Sequence, residues 1–131
     1  MNRQDAVLSM PFAKLYALLV QKAIKKGRTR AEVGTVTGWL TGYTPEELKN
    51  AEESGLSYGD FFRQAPCLNP RRAEIRGAIC GERVETIAGP LWHAVRCLDK
   101  LIDGLAKGNR LQNCCPVFPN RLFDQREVAR S

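Results

Sequence analysis

Two stretches of this 131-residue chain place residue types where they could do chemistry. The first is Cys80 with Arg83 three residues on. A guanidinium on the same helix face would lower the thiol's pKa and make it a nucleophile. The plainer account makes Cys80 a small buried hydrophobe, as most free cysteines are. The second is Asn69-Pro70 followed by Arg71, Arg72 and Arg76. Asparagine as cap and proline at the first helical position open a helix, so backbone N–H groups and three cations gather in its first two turns. Cations there oppose the helix dipole, and a phosphate or carboxylate bridging them would be favoured. Pairing of these arginines with Glu74, Glu82 or the acidic third helix competes with that reading.

Other chemistries lack their parts. Nucleophilic catalysis needs a base in reach of the nucleophile, and the single histidine, His93, lies between Trp92 and the apolar position Val95, as a packed or surface residue would. Asp99 and Asp103 sit among lysines, which reads as solvent-side ion pairing. The five cysteines (Cys67, Cys80, Cys97, Cys114 and Cys115) are an odd number and form no CxxC pair. With one histidine they make no zinc spacing, so neither a metal nor a cofactor is expected, and no catalytic residue is assigned. The phosphate-loop patterns GxxxxGK[ST] and GxGxxG are absent. The cysteine usage fits a reducing, cytoplasmic setting. No apolar run approaches the ~18–20 residues of a membrane span, and the first residues, MNRQDAVLSM, lack the apolar core of a secretory signal.

The net charge of +6 is unevenly spread. Residues 1–30 hold seven Lys/Arg against one acid, and residues 31–60 hold one lysine against six acids. A basic segment next to an acidic one can pair internally or with a second copy. Within it, TRAEVGTVTGWLTGYTPEEL carries two capping boxes, Thr29 with Glu32 and Thr44-Pro45 with Glu47, separated by Gly42 at a helix end. That spells helix, tight turn, helix. In a DNA-binding unit of this shape the second helix enters the major groove. Here it would present Glu46, Glu47, Glu52 and Glu53 against Lys49 alone, which opposes the counterion release that drives duplex binding. Nucleic-acid binding through this unit is therefore not expected.

The elements that must position these residues read as helices. Ser9 caps a first helix with Pro11 in its opening turn, and Phe12, Leu15, Tyr16, Leu19, Ala23 and Ile24 form its buried stripe. A second helix over about 30–41 buries Val33, Val36 and Leu40. It carries Gly34 and Gly38 one turn apart, each of which costs about 1 kcal/mol of helix propensity; such a pair either admits a close backbone or marks a weak spot. A third spans about 45–54. Ser57 caps a fourth short helix that carries Phe61 and Phe62 inward. Asn69-Pro70 opens a fifth through Ile75 and Ile79, and the stretch 82–87 reads as a helical turn with extended chain as the alternative. After Gly89-Pro90 the last helix repeats Leu91, Val95, Leu98, Ile102 and Leu105, with Arg96, Asp99, Lys100, Asp103 and Lys107 on its other face for ion pairing. Beyond Gly108 the period is lost, and Val117, Phe118, Leu122 and Phe123 suit a tail that folds back or docks on a neighbour.

From about Met10 to Gly108 the chain resembles a prokaryotic family known as domain of unknown function 2200. The resemblance runs through FAKLY, VQKAIKKGRTRAEV, WLTGYTPEEL, FF-x-x-AP-x-LNP, G-x-ICG-x-RVE-x-I and PL…R-x-LDKLIDGLAKG. It implies a small bacterial helical protein without assigned activity, and no catalytic residues to carry over. Gly34 and Gly38 stand where the family has bulkier residues, His93 where it lacks histidine, and Arg71 and Arg72 are not part of its pattern.

These readings predict an all-α, single-domain orthogonal bundle of about five or six helices over residues 8–108, with an irregular tail over 109–131. The function they favour is a non-enzymatic interaction module that binds a protein partner or self-associates. The alternative is a binder of anionic small ligands or nucleic acid through Arg71, Arg72 and Arg76. An enzyme built on Cys80 comes third.

Overall fold

The capped starts organise the first half of the molecule. The computed structural model describes residues 3–107. It contains helices α1 (Arg3–Ser9), α2 (Phe12–Lys25), α3 (Arg30–Thr41), α4 (Pro45–Glu53), α5 (Tyr58–Arg63) and α6 (Pro90–Ala106), and a hairpin of β1 (Ala78–Ile79) and β2 (Glu82–Arg83). The Thr29 and Thr44 hydroxyls each accept an N–H three residues on at 3.1 Å, and Glu32 and Glu47 accept the cap N–H groups in return at 2.9 Å. The Ser57 hydroxyl caps α5 by accepting the Asp60 N–H at 3.1 Å, without the return bond. Each such cap contributes about 1 kcal/mol.

The helices close over a core centred on α6, which packs against α2, α3 and α5. Leu98, Leu101 and Ile102 are fully buried there beside Val33, Val36 and Leu40 of α3. A second layer is aromatic. Phe12 stacks on Phe61 at 3.9 Å between centroids, and Tyr43 stacks on the other flank of Phe61 at 4.5 Å while its hydroxyl donates to the Phe61 carbonyl. The expected all-α bundle is therefore present, with one small hairpin added.

Two boundaries and one buried position differ from the sequence reading. Ser9 ends α1 rather than capping α2, and its hydroxyl donates to the Asp5 carbonyl at 2.7 Å. Pro11 disfavours the helical region for Met10, so one helix stops before the proline and another starts after it. The start of α2 is fixed instead by bonds from Phe12 N to Leu56 O (2.8 Å) and from Tyr58 N to Met10 O (2.7 Å). Ile24, assigned to the buried stripe, is 53% exposed. The helix expected from Asn69 through Ile79 is a single 3-10 turn, Pro70–Glu74, followed by β1. Gly77 at φ 115° breaks it, and Cys80 and Gly81, both at positive φ, form a two-residue hairpin loop of the kind that matches strand twist. Over 82–87 both readings hold in part: β2 is extended and Val84–Thr86 is a 3-10 turn.

The hairpin stays in place through charged groups. Glu85 accepts the Gly77 N–H at 2.9 Å and pairs with Arg83, while Glu82 accepts the Trp92 indole N–H at 2.9 Å. The Gly77 N–H, the carboxylate's own backbone N–H and Arg83 hold the Glu85 carboxyl down to about 2, from an ordinary 4.5. A depressed carboxyl adds stability above its unfolded value and loses it as pH falls toward its folded value. Urea midpoints of wild type and Glu85→Gln should therefore differ near neutral pH and converge between about 4.5 and 2. A gap of constant size through that window would contradict this account.

Candidate functional site

A concavity of about 830 Å³ lies between α3 and α4. Its floor is Gly34 on α3 and the buried Tyr16 of α2, and its walls are Ala31, Thr35 and Gly38 of α3, Tyr43 of the turn, and Pro45 and Leu48 of α4. Arg30, Lys49, Glu52 and Glu53 form the rim. Gly42 in the left-handed region ends α3, and the Thr44 capping box starts α4 two residues later, so the two helices that wall the groove are joined by a tight turn. Arg30 and Glu52 form an ion pair across the rim, and the Arg30 guanidinium lies 5.8 Å from the centre of the Tyr16 ring. Burial pushes the Tyr16 and Tyr43 phenols above their ordinary value, so both remain protonated at neutral pH.

The two glycines differ in what they do. A Cβ on Gly38 would meet the Tyr43 carbonyl at 3.0 Å, so this glycine admits the backbone of the following turn. A Cβ on Gly34 would find nothing closer than the Tyr16 hydroxyl at 3.8 Å and Leu48 Cδ1 at 4.0 Å. Among the described residues no packing requires Gly34, and what it leaves there is open floor. Among the described residues neither thiol nor imidazole lines the groove. It can receive an apolar side chain and meet flanking charges at the rim.

The residues singled out for an anion are dispersed. Asn69 accepts the Arg71 N–H at 2.9 Å and donates through Nδ2 to the Trp39 carbonyl, so its side chain ties the turn to the end of α3. Arg71 pairs with Glu74, and Arg76 is exposed without an ion pair among the described residues. Arg72 turns back to the Asn69 carbonyl and borders a cleft of about 420 Å³ with His93 and Glu85. Its buried Nε has no hydrogen-bond partner among the described residues. The Glu85 carboxylate in the same cleft repels an anion.

The thiol pair is also rearranged. Cys80 is exposed at the hairpin loop, and Arg83 lies across it with its guanidinium on Glu85. The helix on which their pairing depended does not form. A different thiol meets the histidine: Cys97 Sγ is 3.7 Å from His93 Nδ1 and 3.6 Å from Nε2. Near-equal distances mean that neither nitrogen aims its lone pair at the sulfur, and Cys97 is fully buried. Burial first and Arg72 second lower the His93 pKa, which keeps the ring neutral. The i, i+4 spacing of His93 and Cys97 was the sequence signal for this contact, and it is a packing contact. Asp103 does pair with Lys22 (3.1 Å) and Lys107 (3.0 Å), as its setting among lysines suggested. Asp99 differs: it pairs at 2.7 Å with Arg96, which is buried rather than on a solvent face. Among the described residues no cluster of His, Cys, Asp and Glu could hold a metal ion, and no helix is long and apolar enough to cross a membrane.

The model of a family described as uncharacterized protein conserved in bacteria, DUF2200, matches residues 6–115. The chain belongs to that family. A solved structure, reported as the crystal structure of uncharacterized protein SP1917, is similar over 87% of this chain and 92% of the other, with 43% identity and a TM-score of 0.79. No curated protein matches. The family is described as conserved in bacteria, and neither description names a reaction.

Proposed function

We propose that this DUF2200 protein is a binding module rather than an enzyme, and that the groove between α3 and α4 receives a polypeptide segment from a partner or from another part of its own chain. The open floor at Gly34 carries this reading. A glycine inside a helix costs about 1 kcal/mol against alanine, and none of the described residues packs into the space it leaves. The groove's volume and apolar walls fall in the range of natural ligand sites. An apolar anchor side chain above Gly34, flanked by charged residues meeting Arg30, Lys49 or Glu53, matches the helix-in-groove mode of recognition. The free surface thiols of Cys67 and Cys80 suit a reducing, cytoplasmic setting for such a module.

Gly34→Leu tests the proposal, because there is room for its Cβ and the longer side chain fills the floor. The variant should fold and unfold at a temperature no lower than wild type. Random-peptide display on wild type should enrich sequences with an aromatic or aliphatic anchor, and these should bind Gly34→Leu at least tenfold more weakly. No enriched sequence, or equal binding to both proteins, would reject the groove. A second reading assigns a small anion to Arg72, supported by its unbonded Nε. Binding of inorganic phosphate that is abolished in Arg72→Gln would favour it over the groove.

A further inference from the structure

We infer that the groove's partner is a second copy of this chain, which presents to it the outer face of helix α2. The inference rests on the groove being a polypeptide site and names its occupant. Among the described residues, Leu18 and Ile24 are the two large apolar side chains that stand more than half out of the surface, and both belong to α2. Lys14, Leu18, Gln21 and Lys25 follow one another at helical spacing and form the outward stripe, opposite the buried Phe12, Tyr16, Val20 and Ala23. No acid occurs between Asp5 and Glu32. Of the three lysines of α2, Lys22 pairs with Asp103, while Lys14 and Lys25 have no ion pair among the described residues. A leucine on a helix face between unpaired cations is an anchor of the kind that docks in a groove.

Helix α4 offers the opposite pattern, with four glutamates against one lysine. Glu52 is engaged by Arg30 and Glu47 accepts the Thr44 N–H, which leaves Glu46 and Glu53 exposed on one edge of α4 two turns apart. Leu48, between them in sequence, borders the floor at Gly34. Let Leu18 of one copy sit over Leu48 of the other, with the two helices running the same way. Lys14 then lies about 3 Å beyond Glu46 along the axis, and Lys25 about 3 Å beyond Glu53. Lysine stems span such offsets while they cover apolar surface. Lys49, the cation of α4, falls beside the neutral Gln21. The two stripes do not meet within one molecule, because α2 turns its buried face with Tyr16 toward the groove floor and its lysines outward. Their pairing takes a second molecule.

The test is sedimentation velocity of the full chain over a range of concentrations. Wild type should associate as concentration rises, into dimers if the two contacts are reciprocal and into a growing series if they are not. Leu18→Asp, at an exposed position, and Gly34→Leu, at the floor, should each weaken association at least tenfold while circular dichroism stays that of wild type. Lys14→Glu/Lys25→Glu and Glu46→Lys/Glu53→Lys should each abolish association alone and restore it when mixed, because the mixture brings opposite charges together again. A monomer at every concentration overturns the inference, and the groove reading then rests on the selected peptides alone. Association that survives Leu18→Asp or Gly34→Leu places the contact on another face and overturns it as well. If wild type stays monomeric and no displayed peptide is enriched, both readings fail.

Discussion

Arg96→Ala should lower stability by about 3 kcal/mol, the low end of what breaking a buried ion pair costs. Arg96 is only 6% exposed, yet it is the centre of a charged network. Its Nη1 is 2.7 Å from Asp99, its Nε 3.5 Å from Glu82, and its guanidinium lies 4.5 Å from the centre of the Trp92 ring. Glu82 also accepts the Trp92 indole N–H, so one cation joins β2 to α6 through two carboxylates and an aromatic face. Alanine removes the cation and leaves both acids. Glu82 is one-third exposed and can be rehydrated, which keeps the loss near the low end. Asp99 is worse placed, because burial already raises its pKa against the pull of Arg96. Without Arg96 that pKa rises further, and protonation relieves the unpaired charge. The deficit measured by urea unfolding should therefore shrink as pH falls through the raised Asp99 pKa. Arg96→Lys should fall between, since it keeps the charge but loses the planar fork and the stacking. An Arg96→Ala loss below about 1 kcal/mol would show that the network is merely a solvated surface.

Gly42→Ala should cost a similar amount for a different reason. Gly42 ends α3 at φ 83°, and an L-residue in the left-handed region costs about 1–2 kcal/mol. The added Cβ would also lie 2.9 Å from Cys67 N and 3.0 Å from Cys67 O, both backbone atoms. The chain at 67–69 cannot yield freely, because it satisfies the end of α3. Cys67 N donates to Thr41 O at 3.1 Å and Asn69 N to Leu40 O at 2.8 Å, while Asn69 Nδ2 takes Trp39 O. Moving it weakens these bonds, and the total loss is about 3 kcal/mol. Gly27 is the internal control, at the same φ of 83° with nothing within 4 Å of its Cβ position. Gly27→Ala should cost only the conformational part, about 1 kcal/mol. Equal losses at the two positions would show that the contact with Cys67 carries no weight.

Asn69 shows how a local signal can be right and its functional reading incomplete. The cap was legible, since Asn-Pro followed by a turn is a short-range pattern, and Asn69 does accept the Arg71 N–H. What the cap opens is one 3-10 turn, and its side-chain amide reaches thirty residues back to α3. Gly34 and Gly38 were conspicuous in the sequence as well, but nothing local separates a glycine that admits a backbone from one that leaves a floor. That distinction lies in where Tyr43, Tyr16 and Leu48 come to rest. The hairpin was missed because its loop residues, Cys80 and Gly81, occur in a window too short for periodicity to resolve, and its anchors Trp92 and Lys100 belong to another helix.

By itself the sequence determined the helical class, the starts of α3, α4 and α5, the end of α3 and the apolar seam of α6. Caps, left-handed glycines and 3.6-residue periodicity act through atoms a few residues apart, so they are written where they are used. Only the tertiary structure decided that Arg96 is buried, that residues 67–69 close the end of α3, and that a groove opens above Gly34. Each of these depends on which surfaces meet across long sequence separations, and concavity belongs to the assembled surface, with no counterpart in the order of residues.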